Sequence, residues 1–212
     1  MKLVDRAVCV DGQAAVHERW SFPGMKIVPT PLEGAYLVEP ERFGDDRGHF
    51  ARLFCARTFE EHGLSARFVQ ANESLNRKAG TLRGMHYQLP PHAETKLVRC
   101  VRGALHDIIL DLRPESPTFG QSFGADLTPE NGRAMYVPRG FAHGFATLVD
   151  DTVAVYFVDE YYNPEHERGV RWNDPKFQLQ WPIKQPTVIS DKDANQRDWD
   201  PEWHLSGRAP RG

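Results

Sequence analysis

The sequence predicts an all-β protein, a sandwich or barrel of short antiparallel strands. Three observations carry this. Apolar and polar residues alternate over short runs, most clearly in Thr152 to Val158, where Val153, Val155 and Phe157 oppose Ala154 and Tyr156. Glycine (17) and proline (16) are spread through the 212 residues, so turns recur at short intervals. Helical signals are nearly absent: only Thr58 to Gly63, TFEEHG, carries an N-cap type and a glycine stop, so one or two short helices are expected. Hydrophobic residues make up 40% of the chain, enough for a real core.

Residues 1–24 read as an N-terminal extension: polar, with Trp20 and Phe22 beside a Pro23-Gly24 turn. A loose tail fits this, and so does a segment packed on the body or on a partner subunit. The body begins at Met25 with the strand-like MKIVPTPLEGAYLVEP. In FGDDRGHFARLF, Phe43 to Phe54, the residues Asp45 to Gly48 form a turn by composition, and Arg47 there has the setting of a surface arginine. Arg67 to Ser74, RFVQANES, reads as a strand running into a polar loop.

The stretch TLRGMHYQLPPHAETK, Thr81 to Lys96, is the most chemically loaded. On a regular strand Arg83 and His86 point to opposite faces. Gly84 lies between them, and a glycine inside a strand pattern often marks a bulge that can swing both groups to one side. A guanidinium able to hold an anion and an imidazole able to accept a proton would then share a cavity. An edge strand with a solvated arginine and a core histidine fits the same residues.

Leu97 to Val101 and Ala104 to Leu112 are expected to form a hairpin around Arg102-Gly103. In the second strand His106, Ile108, Leu110 and Leu112 share an apolar face, on which His106 reads as a packed core histidine. This second apolar face is expected to need a partner subunit, since a two-sheet sandwich buries only its inner faces. Asp107 shares the other face with Ile109 and Asp111, where a polar cavity would suit it. SPTFG, Ser116 to Gly120, is a turn; Ala134 to Val137 is a strand; Pro138-Arg139-Gly140 is a turn into FAHGF, Phe141 to Phe145.

A net charge of −3 gives no general nucleic-acid signature, so any anion site must be local. Cys9, Cys55 and Cys100 lack metal-ligand spacing and read as reduced thiols of a cytoplasmic protein. Neither a signal peptide nor a run of membrane-spanning length is visible. There is no glycine-rich phosphate loop, G-x-S-x-G or Rossmann fingerprint. Composition alone assembles Arg47, Arg83, His86, Lys96, His143, Tyr156 and a late carboxylate such as Asp193. The cations suit a phosphorylated substrate, and a histidine with a tyrosine suits proton abstraction and donation.

Eight segments carry a resemblance: FGDDRG (43–48), FVQ-x-N-x-S (68–74), LRGMHYQ (82–88), KLVRCVRG (96–103), SPTFG (116–120), VPRGFAHGF (137–145), YYNP (161–164) and RGVRWNDP (168–175). In that order and near that spacing they resemble the dTDP-4-dehydrorhamnose 3,5-epimerase family, the RmlC-type cupins, from Met25 to Pro182 and more weakly to Asp193. The resemblance implies a cupin-type antiparallel β jelly roll over 25–193 with a C-terminal tail over 194–212, and a homodimer. It implies epimerisation beside the 4-keto group of a nucleotide-linked 6-deoxyhexose, with no cofactor and no metal. By the same resemblance His86 is the base, Asp193 its carboxylate partner, Tyr156 the acid on the opposite face of the sugar, and Lys96 the cation near the keto oxygen. Arg47 and Arg83 would meet at the diphosphate. Gln70, Asn72, His143 and Tyr161 would line the substrate site.

The chain departs from the pattern of many members at Arg52 (Glu), Ala71 (Asp), Glu73 (His) and Phe157 (Lys), so sugar or nucleotide preference is open. A single-carbon epimerase, or one acting on a CDP- or GDP-linked sugar, fits the same acid–base set. A metal-dependent cupin would present a His-x-His pair, which Tyr87 and Gln88 do not supply after His86. A non-catalytic nucleotide-sugar binder would be expected to lack the base or the acid.

Overall fold

The computed structural model describes residues 24–206, together with the backbone of four short strands before them: β1 (Leu3–Val4), β2 (Ala7–Val10), β3 (Gln13–Val16) and β4 (Arg19–Trp20). These four pair among themselves, β1 with β4 and β2 with β3. The expected packing of Trp20 and Phe22 lies outside the described side chains.

Two antiparallel sheets follow. The six-stranded sheet has the order β5 (Met25–Pro29), β6 (Tyr36–Pro40), β14 (Ala134–Val137), β11 (Lys96–Arg102), β16 (Thr152–Val158) and β9 (Gln70–Asn76). The five-stranded sheet has the order β13 (Ser122–Leu127), β12 (Leu105–Asp111), β15 (Phe141–Thr147), β10 (Leu82–Gln88) and β17 (Glu167–Gly169). Val98, Cys100, Met135, Val137 and Ala154 of the first meet Leu105, Ile109, Leu127, Phe141 and Phe145 of the second in a buried core. This is the cupin-type jelly roll. A small separate hairpin, β7 (Arg42–Asp45) and β8 (Gly48–Ala51), projects with Asp46-Arg47 at its turn.

Alternation decides which side chains reach the space between the sheets. The pairings Val98↔Tyr156 and Tyr156↔Asn72 set Lys96, Tyr156 and Asn72 on the inner face of the large sheet. Phe157 faces outward, against Phe68 and the cluster around Val38, Phe59, Leu97 and Tyr136. On β12, Asp107 lies inside and is fully buried, whereas Ile108 and Leu110 face out.

Several expectations are corrected. Leu97–Val101 and Ala104–Leu112 are not a hairpin. β11 and β12 belong to different sheets, because both contribute residues to the one core between them, and the chain crosses over at Gly103. The outer face of Ile108, Leu110 and Leu112 needs no partner: Val170, Phe177, Leu179, Trp181 and Trp199 of the same chain cover it. His106 is not a core residue; its Nδ1 lies 2.6 Å from the exposed carboxylate of Asp126. Residues 194–206 are part of the folded unit, since His204 is buried and accepts the Tyr87 hydroxyl on its carbonyl at 2.9 Å. The first helix is α1 (Ala56–Glu61), capped at Cys55 without a side-chain bond, so Thr58 lies within it. Two more short helices, α2 (Asp191–Ala194) and α3 (Pro201–Ser206), bring the number described to three.

Candidate active site

Strand β10 carries the irregularity that builds the site. Its pairing with β15 shifts register between Arg83 and His86. Met85 and Tyr87 point outward into the cluster under the C-terminal segment, while Arg83 and His86 both line the inner cavity. Gly84 makes this possible. Its φ is +130°, and a Cβ there would come within 2.5 Å of Gly144 Cα on the neighbouring strand.

The cavity encloses about 360 Å³ and is bordered by His86, Arg83, Lys96, His143, Tyr156 and Asp193, with Glu73 and Ser74 of β9. Such a volume suits a small ligand. A second chamber of about 210 Å³ shares His86, Lys96 and Tyr156 and extends along Gln70, Asn72, Gln88, Glu94, Tyr162 and Glu167. His86 comes from one sheet and Tyr156 from the other, so they border one space from opposite walls.

His86 Nε2 lies 2.6 Å from Asp193 Oδ1. Helix α2 delivers that carboxylate: Ser190 caps it through the Asp193 amide at 3.1 Å, and Asp193 Oδ2 accepts the Gly84 amide at 3.3 Å. Burial pushes the Asp193 carboxyl up, but the hydrogen bond and charge of His86, with the Gly84 and Ser190 bonds, outweigh it and hold the group below the ordinary aspartate value. An ionised carboxylate only accepts, so the proton sits on Nε2 and leaves Nδ1 as the free basic nitrogen.

Tyr156 is half-buried and, among the described residues, its hydroxyl has no hydrogen-bond partner. Burial, then the nearby Glu94 carboxylate, raises its pKa; Arg83 opposes them. The phenol therefore stays protonated beyond the usual tyrosine range. Lys96 Nζ is held by Glu94 Oε1 at 3.1 Å and by the His86 carbonyl at 3.5 Å. His143 Nε2 meets the buried Asp107 at 2.8 Å, a second histidine–aspartate pair on the same cavity.

Eight of the ten residues singled out in the sequence thus border the two chambers: His86, Asp193, Tyr156, Lys96, Arg83, His143, Gln70 and Asn72. Two do not. Arg47 sits at the tip of the β7–β8 hairpin, with its side chain 89% exposed and paired to Asp45, so the expected meeting with Arg83 does not occur within one chain. Tyr161 is 63% exposed; the neighbouring Tyr162 lines the second chamber instead, donating to Glu167 Oε2 at 2.8 Å. Sequence reasoning missed Glu94, which stands two residues before Lys96. It also missed Glu167, whose other oxygen lies 2.6 Å from Lys192 Nζ, next to Asp193.

A family model described as dTDP-4-dehydrorhamnose 3,5-epimerase matches residues 29–200. A dTDP-4-dehydrorhamnose 3,5-epimerase from Sinorhizobium fredii is 48% identical over 160 residues, spanning 76% of this chain and 82% of the relative. One from Shigella flexneri is 44% identical over 172 residues, 81% of this chain and 94% of the relative. The Bacillus anthracis enzyme, solved with TDP and PPi bound, superposes with a TM-score of 0.80 at 45% identity, covering 83% of this chain and all of that one. A Legionella pneumophila epimerase in complex with dTDP-4-keto-L-rhamnose gives 0.77 at 39% identity, covering 82% and 93%. A 3'-monoepimerase from Streptomyces bikiniensis, in complex with dTDP-quinovose, gives 0.76 at 33% identity, covering 81% and 87%. The chain belongs to the dTDP-4-dehydrorhamnose 3,5-epimerase family of carbohydrate epimerases.

Proposed function

We propose that the protein epimerises a dTDP-linked 4-keto-6-deoxyhexose at both carbons flanking the ketone. The observation that carries this is the placement of His86 and Tyr156 on opposite walls of one cavity that Lys96 also lines. A proton alpha to a ketone is weakly acidic; removing it needs a base in reach and a cation at the oxygen where charge develops. His86 Nδ1 takes the proton, and Asp193 supports the imidazolium that forms. Lys96 stabilises the enolate oxygen. Tyr156 returns a proton from the opposite face, which inverts the carbon. Arg83 binds the diphosphate, and Gln70, Asn72 and His143 orient the rest of the substrate.

Inversion at both carbons is favoured because the 3,5-epimerases compared are more similar in sequence than the monoepimerase. Deuterium incorporation from D₂O into dTDP-linked 4-keto-6-deoxyhexose, followed by NMR at each carbon, tests this. Exchange at carbons 3 and 5 is expected. Exchange at one carbon alone makes it a monoepimerase, and faster turnover of a CDP- or GDP-linked sugar moves the nucleotide assignment.

The working unit in this reading is a homodimer. Its support is the β7–β8 hairpin, which carries Arg47 away from its own cavity beside Phe50, 57% exposed, and Leu53, 46% exposed. A second copy would supply the arginine that the family pattern assigns to the diphosphate. A monomer at micromolar concentration in sedimentation would contradict it. No described helix is long and apolar enough to cross a membrane. A cytoplasmic location belongs to the same reading, supported by the free thiols of Cys55 and Cys100.

A further inference from the structure

We propose that Asn76 is a positioning residue for substrate binding: it tethers Arg83 by Nε and so aims the two terminal nitrogens of that guanidinium at the anionic part of the ligand. The inference rests on the reading of Arg83 as a diphosphate ligand.

Asn76 ends the edge strand β9 and is only 2% exposed. Its amide is fully committed. Nδ2 donates to the Ser74 carbonyl at 3.1 Å and to the Thr152 carbonyl at 3.2 Å, while Oδ1 accepts Arg83 Nε at 2.7 Å. The two carbonyls fix the orientation of the amide, because turning it over would set its oxygen against two other oxygens and its NH₂ against a guanidinium. The side chain therefore offers Arg83 an acceptor and nothing else.

Arg83 is an exposed side chain on the register shift of β10, where strand geometry alone does not fix its direction. Among the described residues Nε has this one acceptor, and the two terminal nitrogens form no hydrogen bond or ion pair. A long flexible cation gains binding strength when its rotamer is held before the ligand arrives. The tether occupies Nε and leaves the other two nitrogens of the planar guanidinium free for bidentate contact. Asn76 is uncharged, so it orients the guanidinium without neutralising it, as a carboxylate in that place would.

The test is a double-mutant cycle on the full chain with dTDP as the probe, read by calorimetry. Arg83→Ala is expected to weaken binding on the order of tens of fold, the loss of charge-assisted hydrogen bonds. Asn76→Ala is expected to weaken it about three- to tenfold, with KM raised more than kcat is lowered. The double variant should bind like Arg83→Ala alone, since the tether has no value without the arginine. Wild-type affinity in Asn76→Ala, or factors that multiply in the double variant, overturns the inference. Unchanged affinity in Arg83→Ala instead overturns the diphosphate reading, so the two failures are told apart. Should no Asn76 variant fold, the Arg83 Nε–H NMR signal of the unliganded wild type decides: slow solvent exchange supports the tether, and fast exchange contradicts it.

Discussion

The two walls of the cavity are built on different principles. On the five-stranded wall His86 is supported on one side by Asp193, which is itself held by Ser190 and the Gly84 amide. On the six-stranded wall the Tyr156 hydroxyl has no protein partner among the described residues, and burial with the Glu94 charge raises its pKa. The difference matches the tasks proposed for them. A base must present one defined nitrogen and tolerate becoming charged, which needs a fixed carboxylate. An acid must stay neutral until it gives up its proton, which a half-buried phenol beside an anion achieves with no bond at its tip.

Breaking the supported wall should do the most damage. His86→Asn is expected to abolish deuterium exchange into the sugar, a loss of about 10²–10⁴ in rate, with dTDP still bound. Asp193→Asn should follow, with kcat down on the order of a hundredfold or more, because the amide neither fixes the tautomer nor supports the imidazolium. The same change bears on stability. The Asp193 carboxyl is depressed in the folded state, so its contribution is present above the ordinary aspartate range and is lost as the pH falls through the folded value. Melting temperatures of Asp193→Asn should accordingly depend less on pH at the acid end than those of wild type.

On the other wall the effects are smaller and appear in pH profiles. Burial and the Glu94 charge raise the Tyr156 pKa from the ordinary tyrosine value. Glu94→Gln removes an anion that disfavours the tyrosinate, so the alkaline limb of the kcat profile should move to lower pH. An unmoved limb would mean that Glu94 does not set the acidity of Tyr156. The smallest effect is expected at Phe157, which faces away from the cavity against Phe68. Phe157→Lys should lower the melting temperature and leave isotope exchange unaltered, despite its place next to Tyr156.

These contrasts explain what the sequence could reveal. The strands were legible because alternation is a local property, and the bulge was legible because Gly84 stands between two polar residues that chemistry wants together. Which strand pairs with which was less so. Arg102-Gly103 has the composition of a hairpin turn, yet the chain there steps from one sheet to the other, a choice set by the shared core. The outer face of β12 is apolar by local alternation, but its cover comes from Val170 to Trp199, far along the same chain, which no local pattern reveals. At the site, resemblance supplied residue identities but not whose cavity they enter: Arg47 extends away from its own. Tyr161 and Tyr162 are adjacent and alike in composition, and only the folded loop shows that Tyr162 faces the second chamber.

The two-walled account stands or falls on Tyr156→Phe, assayed with dTDP-linked 4-keto-6-deoxyhexose in D₂O, with deuterium content and configuration at carbons 3 and 5 read from the same NMR spectra. Deuterium should still enter the sugar, because His86 continues to remove and return protons on its own face, while inversion falls on the order of a hundredfold. Full epimerase activity in this variant would contradict it, and the opposite-face proton would then have to come from another residue or from water.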